Sequence, residues 1–141
     1  MPTYVVILTE MIHDARVIPL DGRAHLLPNI RQWMGDSRGH WEGNTLVVET
    51  TNFSNKTSFR GASEHMHLVE RFTRTDPGTV LYQFTVDDPE AFTKSWSVEI
   101  PMTKTEGPLF EYACNEGNYS LTDILSGARA DERKAVEEAA K

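Results

Sequence analysis

Apolar side chains recur at every second position along three consecutive stretches. In "HMHLVERFT" one face carries Met66, Leu68, Glu70 and Phe72. The next two stretches align Val80, Tyr82, Phe84 and Val86, then Trp96, Val98, Ile100 and Met102. A period of two marks a strand with one side buried. Turn-forming groups punctuate the chain at short intervals: "LDG" at 20–22, "MGD" at 34–36, "EGN" at 42–44, "TDPG" at 75–78, "DDP" at 87–89 and "TEGP" at 105–108. The pattern predicts strands at about 4–10, 15–19, 38–42, 45–53, 65–74, 79–87, 94–102 and 109–114.

The expected fold is therefore mainly β, an antiparallel meander. Long neighbouring strands with one aromatic-rich face must either curl onto themselves or pack against the remaining strands. A barrel-like, lipocalin-like sheet is expected, with a C-terminal helix covering one end. That helix starts where Ser120 can cap Leu121, Ile124, Leu125 and Ala128, which share a helical face. Gly127 is expected to break it, leaving "ADERKAVEEAAK" as a solvated helix or fraying end.

The length, 141 residues, suits one domain spanning the chain, with a helical tail from about 120. Its 39% hydrophobic and 25% charged residues fit a soluble globular protein rather than a disordered or fibrous one. A net charge of -7, with 14 scattered Lys and Arg, argues against nucleic acid. No apolar run is long enough for a membrane span, and "YVVIL" is too short for a secretory leader. A cytoplasmic protein without a membrane partner is expected. The single cysteine, Cys114, excludes an intramolecular disulfide and a multi-cysteine zinc site, and with no basic neighbour it reads as an inert thiol.

Several stretches could carry chemistry. The opening of "GDSRGHWEGNTLVVETTNF" (35–53) has the look of a Gly-Asp-Ser nucleophile block. No helix follows Ser37, however, and the Gly43-Asn44 turn feeds a long strand, so a turn built on Asp36 and Ser37 is the better reading. His65 and His67 alternate onto one face and would be the ligands of any bound metal, with His13, His40, Glu64 or Glu111 as a third. They lie opposite Met66 and Leu68, which favours solvation, and no metal or other cofactor is expected. Asn-X-Ser/Thr triplets at Asn52, Asn55 and Asn118 carry no signal without a secretory context.

Glu70 is the sharpest anomaly, a carboxylate on an apolar face, where it must be paired or hydrogen-bonded. Arg16, Arg38 or Arg60 could pair with it, and Tyr82 or Tyr112 could donate to it. Alternatively, desolvation could make Glu70 a ligand anchor or general base. The surrounding ligand-binding set would be Tyr82, Trp96, Tyr112, His40 and Trp41, with Trp33 and Phe84 adding aromatic surface.

The segments "RVIPLDGRAHL", "GDSRGHWEGNTLVVETTNF", "ERFTRTD" and "EYACNEGNYSL" resemble blocks of a family of uncharacterised proteins from soil and other environmental bacteria. The resemblance spans about residues 4–130. It implies no activity or site residue. Its members tend to be longer upstream and to look exported, whereas this chain starts at its first strand.

Three functions follow as expectations. The leading one is a protein that holds a small, partly apolar ligand in an interior pocket. The second is an isomerase, lyase or hydrolase with Glu70 as base and Tyr112 or His40 as proton donor. The third is a homodimeric interaction protein, because an exposed first strand can pair across a two-fold axis.

Overall fold

The structure, a computed structural model, describes residues 3–57, 59–113, 116–117 and 119–139. Cys114 and Asn118 lie outside the described residues. Two compact units divide the chain, residues 1–109 and 110–141. Among the described residues the first holds seven strands and a short 3-10 turn at Met11–His13, the second an α-helix.

Strands β1 (Tyr4–Leu8) and β2 (Ala15–Pro19) form an antiparallel hairpin and a sheet of their own. Strands β3 (Asp36–Glu42), β4 (Thr45–Thr51), β5 (His67–Asp76), β6 (Thr79–Asp87) and β7 (Trp96–Thr103) form a five-stranded antiparallel sheet in sequence order. The mainly β meander is as expected. No closed barrel forms among the described residues, because β3 and β7 stand at opposite ends of the strand order.

Register carries the alternating pattern across the sheet. Phe72 faces Tyr82 and Tyr82 faces Ile100; Glu70 faces Phe84 and Phe84 faces Val98; Leu68 faces Val86 and Val86 faces Trp96. On the other side, Leu46, Val48 and Thr50 stand opposite Phe72, Glu70 and Leu68. The apolar wall is thus continuous from β4 to β7; two clusters bury most of it as far as Trp96, whereas Ile100 and Met102 on β7 stay exposed. Ile18 of the hairpin packs with Leu46 and Val48, flanked by Val5, Ile7, Leu20 and Phe72. Phe53, Ala62, Met66 and Val86 form the second cluster, with Phe84, Phe92 and Trp96 against it.

Glycine placement explains how the hairpin reaches the sheet. A Cβ on Gly39 would lie 2.8 Å from both Ile18 Cγ2 and Leu20 Cδ2, so only a residue without a side chain lets β2 settle on β3. Gly43, at φ 61, takes the first central position of the two-residue β3–β4 turn, where a primed turn needs positive φ.

Three expectations need correction. Residues 109–113 are not a strand: Leu109, Phe110 and Tyr112 look β-prone, but β7 is the last strand among the described residues. Helix α1 runs unbroken from Ser120 to Ala139 through Gly127. One exposed glycine costs only about 1 kcal/mol relative to alanine, and strong helix formers flank it. Third, Asp36 and Ser37 begin β3 rather than closing a turn; the turn spans Gln32 to Gly35, closed by the Gly35 N–H to Gln32 O at 3.2 Å, and Gly35 leaves it at φ 69.

Candidate functional site

Glu70 is only 3% exposed, at the centre of β5. Arg16, on the inward side of β2, meets it with both terminal nitrogens, Nη2–Oε2 at 2.5 Å and Nη1–Oε1 at 3.3 Å. Tyr82, one strand across, donates its hydroxyl to Oε1 at 2.8 Å. Burial, then the charge and hydrogen bond of Glu70, push the Tyr82 phenol well above its ordinary value, so it stays a neutral donor. This is the paired arrangement expected for a buried carboxylate, with Arg16 and Tyr82 chosen from the candidates. Both oxygens of Glu70 are engaged, which leaves it poorly placed as a ligand anchor or general base.

The other predicted residues do not converge on Glu70. Adjacent residues of a strand point to opposite faces, so His40 and Trp41 cannot line one pocket. Trp41 shares the apolar face, beside Leu46, whereas His40 pairs with exposed Glu42 at 3.2 Å on the other. Tyr112 belongs to the second unit and to none of the named strands. Trp96 stacks on Phe59 with ring centroids 6.2 Å apart and meets Phe84 and Phe92 edge-on, which makes it part of the second cluster. A shallow concavity of about 270 Å³ opens on the polar side of the sheet among Arg71, Gln83, Thr85, Ser97 and Glu99; Glu70 does not line it.

His67 opens β5 opposite Asp87, and His65 precedes the strand with its Nε2 3.7 Å from Glu64 and 3.6 Å from Glu90. No group of three or more potential metal ligands occurs among the described residues. Ser37 is buried and shares a 2.8 Å hydrogen bond with Thr50, not with a histidine. Among the described residues no helix is long and apolar enough to cross a membrane.

Two further buried carboxylates escaped sequence reasoning. Asp36 accepts the Leu26 N–H at 2.9 Å, His25 Nδ1 at 2.9 Å and Arg38 Nη1 at 2.6 Å. Asp88 accepts the Ser63 N–H at 2.5 Å and hydroxyl at 2.9 Å, with weaker bonds from the Glu90 and Ala91 N–H groups. Each pins a long connection onto the sheet. A signal for Asp36 existed in the alternation Asp36, Arg38, His40, Glu42, which puts four titratable side chains on one face. His25 had none, lying in a stretch without periodicity.

Burial alone would raise both carboxyls, but the donated bonds outweigh it: those of Leu26, His25 and Arg38 for Asp36, and of Ser63, Ala91 and Glu90 for Asp88. Both sit below the usual range. The folded state therefore binds fewer protons than the unfolded chain, whose aspartates titrate near ~3.9. Stability from these groups is complete above that value and is lost as pH falls below it. The urea midpoint is expected to drop between about pH 5 and pH 3, less so in Asp88→Asn. A midpoint that holds or rises on acidification would contradict this assignment.

No family model, curated protein or solved structure matches the chain.

Proposed function

We propose that the chain is an interaction protein that pairs with a second copy of itself through β1. The observation that carries this reading is the exposed side of β1: Tyr4, Val6 and Leu8 are exposed and carry no charge of their own, Val6 is 58% exposed, and the one charged group against them is Arg23, whose Nη2 donates to the Tyr4 hydroxyl at 3.1 Å. Only β2 pairs with β1 among the described residues.

The ladder fixes which backbone groups are free. Leu20 N–H donates to Thr3 O, and Thr9 N–H donates to Asp14 O. Bonded pairs alternate along an antiparallel ladder, so Thr3, Val5, Ile7 and Thr9 bond toward β2. Tyr4, Val6 and Leu8 direct their N–H and C=O groups to the open edge. A second β1 running antiparallel about Val6 would set Tyr4 against Leu8 of the partner subunit, and Val6 against Val6 of the partner subunit. Each of the facing pairs would exchange two backbone bonds, and the repeat of the same strand makes the match self-complementary.

The other edges are less suited. Pro19, paired with Tyr4, stands at a position whose N–H would face outward from β2, and proline has none. Pro101 lies within edge strand β7, and β3 carries Asp36, Arg38, His40 and Glu42. Prolines and charges on an edge discourage strand addition. For a chain of net charge -7, an uncharged strand is also where two copies repel least.

Sedimentation equilibrium tests the reading. The wild-type chain is expected to be dimeric and Val6→Lys monomeric, because two lysines would then stand directly opposite. Val6 is exposed, so the thermal midpoint measured at low concentration should barely move. A wild-type chain that stays monomeric at its highest soluble concentration ends the proposal.

A further inference from the structure

We infer that His25 is a nucleophilic imidazole that takes an acyl group at Nε2 from an activated acyl donor, such as a thioester, acyl phosphate or mixed anhydride, with Asp36 as its positioning residue. This goes beyond strand pairing and does not depend on it.

The contact with Asp36 fixes the tautomer of the neutral His25 ring. Asp36 is 4% exposed and ionised, so its Oδ2, 2.9 Å from His25 Nδ1, can only accept. Nδ1 therefore carries the proton, and the lone pair of the ring lies on Nε2. Nε2 has no hydrogen-bond partner among the described residues and is not one of the buried unpaired atoms. A carboxylate behind Nδ1 fixes the ring and increases the electron density at the distal nitrogen, as in catalytic and metal-bound imidazoles.

The support around the ring is unusually complete for a connecting segment. Leu26 N–H bonds the same Oδ2. Arg38 Nε donates to Ala24 O at 3.1 Å, and Asn52 Nδ2 donates to Leu26 O at 3.1 Å and Leu27 O at 3.2 Å. The backbone is thus tied on both sides of His25. By contrast, His40 and His65 direct Nε2 itself at carboxylates that are exposed (Glu42, Glu90) or half-buried (Glu64). They lack a buried group to hold the ring.

In the transfer, the Nε2 lone pair forms a bond to the acyl carbon, and the leaving group departs with the electrons of the bond that breaks. The acylated ring is cationic and keeps its Nδ1 proton on the hydrogen bond to Asp36; the water that attacks the acyl carbon releases one proton to solvent. Hydrolysis of the N-acyl bond then returns the imidazole and a free acid. No oxidant or metal is needed.

Diethyl pyrocarbonate provides the probe, with the five histidines resolved by mass spectrometry. By exposure alone, His40 and His65, with side chains 56% and 49% accessible, should react ahead of His25 at 27%. The expected result is the reverse, with His25 modified first among His13, His25, His40, His65 and His67. In Asp36→Asn the His25 rate should fall about tenfold against an unchanged His40 rate. Because Asp36→Asn could disturb the fold, His25→Gln provides a second arm. The wild-type chain should release p-nitrophenolate from p-nitrophenyl acetate, and His25→Gln should lose most of that release. Modification that follows exposure, or release from His25→Gln at the wild-type rate, overturns the inference.

Discussion

Glu70→Ala is expected to cost about 3–5 kcal/mol of folding free energy, the range for breaking one partner of a buried ion pair. The reason is what remains. Arg16 would keep its charge in a site that now offers only Tyr82, and its Nε already lacks a hydrogen-bond partner. Urea denaturation followed by tryptophan fluorescence measures the loss. Replacing both partners, Arg16→Leu with Glu70→Leu, should recover most of it, since the desolvation of both ions disappears together. A loss below about 1 kcal/mol for the single change would place the pair with ordinary surface salt bridges and reject its structural role.

Ile18→Ala is expected to cost about 2–5 kcal/mol, the range for truncating a fully buried aliphatic side chain. Ile18 is completely buried and joins Leu46 and Val48 across the gap between the two sheets. The damage should be local. Hydrogen exchange of the Val5 and Ile7 amides should accelerate more than that of β5 and β6, because the hairpin loses its main anchor while the meander keeps its own ladder. Uniform acceleration across both sheets would show instead that hairpin and meander open as one unit.

The meander was legible because the alternation from Met66 to Met102 leaves one register in which most large apolar residues, Val69 and Leu81 excepted, share a face. Glu70 stood out for the same reason, and its partners could be narrowed to a few arginines and tyrosines. Other features were hidden by physical ambiguity. Tyr4–Leu8 and Ala15–Pro19 alternate like the other strands, so nothing local says that they form a separate hairpin resting on the sheet. Leu109, Phe110 and Tyr112 have strand-like character, but a strand needs a partner edge, and that is decided by the whole topology. The meeting of His25 with Asp36 depends on the path of a connection without periodicity. His40 and Trp41 are neighbours in β3, so the same alternation already sends them to opposite faces.

Pro19 has a bearing on stoichiometry. A strand that adds to one edge of a sheet usually leaves the opposite edge ready for the next copy, and growth then continues into a fibre. In the hairpin the opposite edge is that of β2, where the missing N–H of Pro19 interrupts any further ladder. Joined by β1, two hairpins would present a blocked edge at each end. Assembly would stop at two copies, a closed particle rather than a polymer.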